Sequence, residues 1–232
     1  MHSTSELYQE LLRNRRHYKA VKLDIAGQEY LAPNIISASI SGSMYEEPTI
    51  GSSASRALDI EILPIGTIPR QAKIQVFVRL ECEGKVSEWI PKGVFFLSTR
   101  SANKITGVLT IRAYDAMLKG NQIWLTSDYD AEDWPMPVAD AVADIASRMG
   151  VEIDSRTQLD TTFPVNYPVD ENGDMQMRDV LSMIAVANAG NWVITDEGKL
   201  RLIKYGDIEA PTNYLITESG DALLMGEVRL LV

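Results

Sequence analysis

Apolar and polar side chains alternate along most of residues 18–113. A period of two predicts β-strands that bury one face and expose the other. Turns between the runs are indicated at Ala26 with Gly27 and at Glu83 with Gly84. The alternating runs span residues 21–25, 36–43, 58–62, 71–82, 94–97 and 108–113. The pattern therefore predicts six or seven antiparallel strands that form a barrel or a sandwich.

Helical and connecting segments flank these strands. Before them, Ser3 and Glu6 have the spacing of a capping box, which predicts a short N-terminal helix. Three leucines are predicted to share one side of this helix: Leu7, Leu11 and Leu12. The polar stretch 98–107 is predicted to connect the last two strands, and residues 114–118 carry a short helical signal.

A helical period replaces the alternation from residue 127 onwards. Pro137 is placed for the first position of a helix and Gly150 for its C-terminal cap. This helix buries four residues at helical spacing: Val138, Val142, Ile145 and Met149. A second helix is predicted from an N-cap at Asp174 to an end at Gly190. Its buried face is predicted to comprise Met177, Leu181, Ile184 and Ala185. A hairpin with Gly198 in its turn follows.

The fold class predicted from these periods is mainly β with an α+β part. An antiparallel β-barrel or sandwich comes first, and a small α+β domain of two helices and a hairpin follows it. The charge changes at the same place. Residues 1–126 carry a net charge of +3, residues 127–174 carry −10 and residues 175–232 carry −3. We therefore predict domains at 1–126 and 127–205, with return strands or the start of a further barrel at 206–232.

The acidic balance and the apolar content exclude several classes of function. A net charge of −10 argues against a nucleic-acid grip, which needs a basic surface to replace counterions. No apolar run approaches the roughly 18 residues of a membrane helix, so we expect no membrane insertion. The N-terminus also lacks the apolar core of a signal peptide.

Residue types suited to catalysis are few, and they are not arranged for it. The two histidines, His2 and His17, both lie in the N-terminal tail, and no Gly-x-Ser-x-Gly motif supplies a nucleophile. Cys82 falls on the inward face of an alternating run, which indicates a small core residue rather than a reactive thiol. Nucleotide-binding glycine motifs are missing as well. We expect no catalytic residues and no cofactor.

Acidic residues raise two further hypotheses, a metal loop and a carboxylate pair. Asp170, Asn172 and Asp174 alternate like the start of a calcium loop, but glycine falls at position four instead of six. A turn explains these residues better, and we expect no metal site. The stretch 127–134, SDYDAEDW, holds several carboxylates of the kind that glycosidases pair, beside Tyr129 and Trp134. Its polar, proline-flanked composition favours a linker.

Two phrases of the sequence carry a family resemblance. The first spans residues 88–119 and reads EWIPKGVFFLSTRSANKITGVLTIRAYDAMLK. The second spans residues 177–203 and reads MRDVLSMIAVANAGNWVITDEGKLRLI. In this order and spacing they resemble tail hub proteins of bacteriophages and prophages, over roughly residues 18–205.

The resemblance implies a structural role without chemistry. Members of that family form a trimeric ring at the distal end of a tail, with a barrel like that of a tail-tube subunit. We therefore expect a homotrimer that contacts a tail tube or distal tail protein and a tail-tip, spike or tape-measure protein. DNA would only pass through its channel. The expected location is the virion tail, assembled in the host cytoplasm. The second barrel of the family would begin after about residue 205, and its near-absence here departs from the family pattern.

The polar loop that follows residue 43 is the predicted contact surface. Its candidate interface residues are Met44, Tyr45, Glu46, Glu47, Thr49 and Ile50. Two other functions stay open. One is a carbohydrate-binding or host-recognition module, which exposed aromatic side chains on one face would favour. The other is the scaffold part of a tail-associated peptidase or lysin, whose activity would lie beyond Val232.

Overall fold

The computed structural model describes residues 4–42, 49–124, 129–170 and 173–205, together with two short strands at 224–225 and 228–229. In this part of the chain, eight strands form one antiparallel sheet. They are β1 (Tyr18–Ile25), β2 (Gln28–Tyr30), β3 (Ile35–Ser41), β4 (Ala57–Ile62), β5 (Lys73–Cys82), β6 (Lys85–Val86), β7 (Ile90–Ala102) and β8 (Leu109–Tyr114). Their order is β2-β1-β5-β7-β8-β4-β3, with β6 paired to the end of β5.

The sheet curls into a half-barrel around an apolar core, which confirms the predicted fold class. Alternate residues of its strands point inward and are buried, because each strand turns one face to the enclosed side. The core comprises Leu23, Ile25, Tyr30, Leu58, Ile60, Ile62, Ile68, Ala72, Ile74, Val76, Phe95, Ile111 and Ala113. Alternation therefore matches burial along β4 and β5, whereas Ile36, Ala38 and Ile40 of the predicted run 36–43 are exposed in β3.

Strand β7 is much longer than the predicted run 94–97. It continues through part of the predicted polar connection and reaches Ala102, where it still pairs with Leu109 of β8. The side chains of residues 99–102 are exposed, so their polarity resembles that of a loop. The strand persists because the backbone hydrogen bonds to β8 do not depend on the side chains.

The N-terminal helix α1 (Glu6–Arg13) begins later than its predicted cap. Ser5, and not Ser3, is the N-cap, and its hydroxyl accepts a hydrogen bond from the Tyr8 amide. The Ser5 amide and hydroxyl also bond the carboxylate of Glu88, at 2.7 and 2.6 Å. A partner 83 residues away thus determines where the helix starts, and local spacing could not reveal it.

Helix α1 packs on the end of β5 through one side chain of its predicted leucine face. Leu11 is 3% exposed and packs with Leu80 and Cys82, and Leu7 lies against the same cluster. Leu12 is 52% exposed, so its predicted place on the buried side was wrong. Cys82 is a free, buried cysteine, which confirms it as a core residue.

Apart from the two short strands at 224–225 and 228–229, the remaining described elements form a second, helical unit. They are the helices α2 (Val138–Met149) and α3 (Met177–Ala187) and two 3-10 helices, Ala116–Asn121 and Ala131–Asp133. Strands pair as β9 (Met136–Pro137) with β10 (Pro164–Val165), β11 (Val169–Asp170) with β12 (Gly173–Asp174), β13 (Gly190–Ile194) with β14 (Leu200–Lys204), and β15 (Leu224–Met225) with β16 (Val228–Arg229). In the described ranges, no helix is both long and apolar enough to cross a membrane.

The core of the second unit contains the predicted faces of both helices. All eight predicted side chains are buried there, together with Trp124 and Trp192. Ala116, Met117 and Trp124 join this core although they precede residue 126. The division of the chain at 126 and 205 remains a prediction.

The predicted helix ends are partly wrong. Helix α2 starts at Val138, with Pro137 one position before it, and Gly150 caps it in the left-handed conformation as predicted. Asp174 cannot be the N-cap of α3, because its backbone pairs with Val169 in a strand and Gln176 precedes the helix. Gly190 does not end α3 either.

The end of α3 lies nearer, and the hairpin begins where the helix was expected to finish. Asn188 is the C-cap, and Ala189 reverses the chain with a φ of 49°. Gly190 then opens β13, paired with Lys204. Gly198 takes a φ of 83° in the hairpin turn, as predicted.

Replacement of Leu11 tests how α1 is attached. Leu11→Ala is expected to lower the free energy of unfolding by about 2–4 kcal/mol, because it leaves a cavity beside Leu80. Leu12→Ala is the matched control and should change it by less than about 0.5 kcal/mol. Chemical denaturation of both variants gives the comparison. Equal losses would contradict the attachment of α1 through Leu11.

Candidate functional site

The chain between β3 and β4 ends in a segment that lies across the helical unit. We call residues 49–56 the connecting segment. The Gly51 amide donates to the Gly190 carbonyl at 2.9 Å, and the Ser52 carbonyl accepts from the Trp192 amide at 2.9 Å. These bonds run alongside β13, so the segment belonging to the half-barrel adds its backbone to the hairpin of the second unit.

Side chains of the helical unit hold the same segment. The amide of Asn191, which is buried, accepts from the Ser52 N–H at 2.7 Å and donates to the Thr49 carbonyl at 3.0 Å. Arg178 donates to the Ser53 carbonyl at 2.6 Å and to the side chain of Asn121 at 2.7 Å. The backbone groups of the segment are therefore satisfied by side chains that come from α3 and β13.

Asp115 binds the C-terminal end of the connecting segment. Its buried carboxylate accepts hydrogen bonds from the Ser55 hydroxyl at 2.9 Å, the Arg56 amide at 3.0 Å and the Met117 amide at 3.1 Å. It is also the N-cap of the 3-10 helix Ala116–Asn121. Burial raises the pKa of Asp115, and these hydrogen bonds act in the opposite direction. One carboxylate thus joins the connecting segment to the start of the second unit.

Arg56 completes the junction. Its guanidinium forms an ion pair with Asp196 at 2.7 Å, and its Nε lies 3.5 Å from Asp115. The group also lies over the ring of Phe95, 5.6 Å from the centroid. Gly93 leaves the necessary room, because a Cβ there would come within 2.5 Å of the Phe95 ring and 3.3 Å of Arg56 Nη2. We call Arg56, Asp115 and Asp196 the junction.

The two phrases that carry the family resemblance converge on this place. The first phrase contributes Gly93, Phe95 and Asp115, and the second contributes Arg178 and Asn191. All five contact the connecting segment or each other around it. The residues of the two phrases therefore pack the two units against each other. This structural role accounts for the lack of a set of reactive side chains in the phrases.

Sequence reasoning missed most of these roles. Arg56 follows a polar run that carries no signal of its own, and its partner Asp196 is 140 residues away. Asp115 had one local signal, since it lies near the start of the helical signal at 114–118, just after an alternating run. Its bond to the Arg56 amide, however, is a tertiary contact.

The half-barrel leaves an apolar mouth open between two strand edges. In the described residues, β3 pairs on one side only, and β1 is unpaired on one side along residues 18–22. Between them lies a cavity of about 390 Å³, lined by Val21, Ala38, Ile40, Arg56, Leu58, Val76, Val78, Lys92 and Asp196. Ile40 is 39% exposed although it shares a face with buried Leu58. The inner face is thus accessible along β3.

The predicted interface residues have different outcomes. Met44, Tyr45, Glu46 and Glu47 lie outside the described residues. The other two, Thr49 and Ile50, belong to the connecting segment. The Thr49 carbonyl accepts from Asn191 and from the hydroxyl of Tyr205, and the Ile50 side chain is 48% exposed. Their part in an interface between proteins remains a prediction.

The groups considered for chemistry lie apart from one another. His17 is half-buried, with Nδ1 2.6 Å from the Asn14 carbonyl oxygen. In the stretch 127–134, Asp130, Glu132 and Asp133 are exposed. Within the described ranges, no group of three or more His, Cys, Asp or Glu residues is arranged to hold a metal ion.

Aromatic side chains pack mainly against each other. Trp124 and Trp192 are fully buried. Edge-to-face contacts with centroids 5.5–6.1 Å apart link a cluster of four rings: Trp124, Tyr129, Trp134 and Tyr167. Such contacts stabilise a core and do not offer parallel flat faces to a sugar. Trp89 is half-buried, with the Arg79 guanidinium over its ring at 4.4 Å.

Known structures share this architecture. No protein-family model and no curated protein sequence matches the chain. The 43 kDa tail protein of prophage MuSo2 from Shewanella oneidensis aligns with 88% of the chain at a TM-score of 0.56 and 14% identity. The tail protein from Neisseria meningitidis MC58 aligns with 85% at a TM-score of 0.53 and 12% identity.

These similarities define the fold class. The chain covers 60% of the Shewanella protein and 54% of the Neisseria protein. At 14% and 12% identity, the likeness shows a shared fold. The chain therefore has the fold found in two prophage tail proteins.

Removal of the Asp115 carboxylate tests the junction. Asp115→Ala leaves two amides and a hydroxyl without their acceptor, so we expect a loss of about 2 kcal/mol or more in the free energy of unfolding. Asp59→Ala is the control, because the exposed Asp59 only faces Arg112 at 3.7 Å and should cost less than about 1 kcal/mol.

A local readout separates the junction from general destabilisation. Amide hydrogen exchange at Gly51 and Ser52 should accelerate in Asp115→Ala more than exchange in β5. Uniform acceleration over the whole chain would contradict a specific hold on the connecting segment.

Proposed function

We propose that the protein is a structural component of a phage-like tail, a hub ring that joins the tail tube to the tail tip or baseplate and lines the channel. The ring is a homotrimer. The half-barrel mouth carries this proposal, because a largely apolar inner face bordered, in the described residues, by two unpaired strand edges is a liability in a lone molecule and an asset in an assembly. The fold shared with two prophage tail proteins supports the same role.

The physical argument rests on unsatisfied backbone groups. A free strand edge presents a row of N–H and C=O groups that another strand can pair with. Ile40 and Ala38 add apolar surface beside the β3 edge. A neighbouring strand that pairs there would satisfy the backbone and cover these side chains at once. Closure of the mouth by a neighbour thus provides both specificity and affinity.

The charge of the protein suits a channel for DNA. A wall that binds phosphate tightly would hold the DNA, whereas an acidic wall repels it and lets it slide. Asp130, Glu132, Asp133 and Asp140 are exposed carboxylates of the helical unit. In the proposed ring these side chains line the channel, and DNA contacts the protein only during passage.

The partners follow from a position between tube and tip. One face of the ring contacts the tail tube or a distal tail protein, and the other contacts a tail-tip, spike or tape-measure protein. Thr49 and Ile50 are the described members of the loop assigned to these contacts or to contacts between subunits. The proposed location is the virion tail, after assembly in the host cytoplasm.

Charges placed in the mouth test the assembly. Ala38→Asp with Ile40→Asp is expected to convert trimers into monomers, because a carboxylate at the β3 edge cannot be covered by an apolar neighbour. Both positions are already exposed, so the melting temperature of the monomer should hold. Analytical ultracentrifugation of the chain measures the mass.

The control lies on the same strand. Ser39→Asp with Ser41→Asp puts the same two charges on the opposite face of β3, where we expect the trimer to persist. A wild-type chain that stays monomeric at every concentration would overturn the ring. A trimer that tolerates both variants would show that the mouth is not its contact.

A further inference from the structure

The outer side of α3 and its surroundings carry exposed apolar side chains. Met183 is 57% exposed and Val186 58%. Beside them, Tyr167 is 51% exposed, and Ile50 adjoins Gly51, which lies against Val186. Four such side chains on a surface exceed what scattered exposure explains. We call Ile50, Tyr167, Met183 and Val186 the α3 patch.

A groove lies beside α3 at the α3 patch. Its volume is about 360 Å³, and Met183, Ile184 and Ala187 form one wall while the stretch 163–168 forms the other. Met183 and Ala187 are one helical turn apart, so they face the groove together. An extended segment or a large side chain from another molecule therefore has a cleft to enter.

Acidic side chains border the patch. Asp179 lies one helical turn before Met183 and is exposed. Asp160 is exposed near the other end of α3, where its amide donates to the side chain of Asn188 at 2.7 Å. Within the described residues neither carboxylate forms an ion pair with a Lys or Arg side chain. The patch is thus apolar in the middle and negative at its ends.

A segment near the N-terminus is positively charged, in contrast to the acidic border of the α3 patch. Residues 12–19, which we call the basic segment, read LRNRRHYK and carry four cations and no acid. Leu12 and Tyr18 are 52% and 63% exposed. The cations are all exposed and form no ion pair within the described part of the chain: Arg13, Arg15, Arg16 and Lys19. Exposed apolar groups and uncompensated positive charge occur here together, as the α3 patch requires.

We propose that the basic segment of one copy docks on the α3 patch of the next copy. Leu12 and Tyr18 cover apolar surface of the patch, and the arginines face Asp160 and Asp179. In one copy the basic segment runs from the last turn of α1 into the start of β1, on the half-barrel, whereas the patch adjoins the connecting segment at β13. The two surfaces lie on different units, and the proposed contact joins two copies.

The contact is heterologous, since each copy uses two different surfaces. Such contacts close into a ring when the rotation between copies closes, and this geometry agrees with three copies in a circle. The inference rests on the proposed ring and adds which surfaces meet in it. The four cations and the flanking carboxylates also give the contact a direction, because a basic segment does not pair with itself.

Charge reversal on both sides tests the contact. The first variant carries Arg13→Glu, Arg15→Glu and Arg16→Glu, and the second carries Asp160→Lys and Asp179→Lys. Each is expected to raise the dissociation constant of the oligomer at least about 10-fold, and the chain that combines both sets should regain most of the affinity. Sedimentation at 50 mM and 500 mM salt should show a weaker oligomer at high salt.

A matched control and the mouth variant separate the possible failures. Asp130→Lys with Asp140→Lys changes the same charge away from the patch and should leave the oligomer intact. An oligomer that survives both reversals overturns the docking and leaves the ring standing, with the α3 patch then free for a different tail protein. Loss of the oligomer in both reversals without rescue in the combined chain overturns the pairing too. A monomeric wild type overturns the ring itself.

Discussion

The buried carboxylate of Asp115 is the interaction on which the arrangement of this protein depends. A carboxylate removed from water is costly unless donors surround it. Here the Ser55 hydroxyl and the amides of Arg56 and Met117 supply them, with the Arg56 guanidinium nearby. Because these donors come from the connecting segment and from the first turn of the helical unit, neither unit can move without exposing the charge or breaking its bonds.

The backbone hydrogen-bonding groups therefore have partners in some parts of the molecule and lack them in others. The connecting segment has its amides and carbonyls bound by Gly190, Asn191 and Trp192, so it behaves as part of the interior. Within the described residues, the outer edges of β3 and of β1 along residues 18–22 have no such partners. The two units are held together tightly at the junction, and the mouth is open. These are properties expected of a subunit that keeps its shape while neighbouring molecules pair with its free edges. A mobile active-site lid would instead need a weakly bound segment above a closed core.

The sequence predicted the interior of both units well. Alternation located the inward side chains of β4 and β5, helical spacing located eight of the eleven buried positions of α2 and α3, and the left-handed glycines at 150 and 198 were confirmed. The wrong predictions concern the ends of elements, which depend on contacts with residues far away in the sequence. Glu88 draws the start of α1 to Ser5, pairing with β8 extends β7 to Ala102, and pairing with Val169 removes Asp174 from the N-cap of α3. Of the junction, only Asp115 had a local signal.

The amino-acid order alone determined which side chains avoid water, because burial follows from a period of two or 3.6 that is written along the chain. It also determined the uneven charge, with a basic start and an acidic middle. Only the tertiary structure decided that Arg56 meets Asp196 and that, within the described residues, the sheet stops short of closure and the α3 patch stays uncovered. These features depend on which backbone and side-chain groups find partners far away in the sequence, and no local pattern records such pairings.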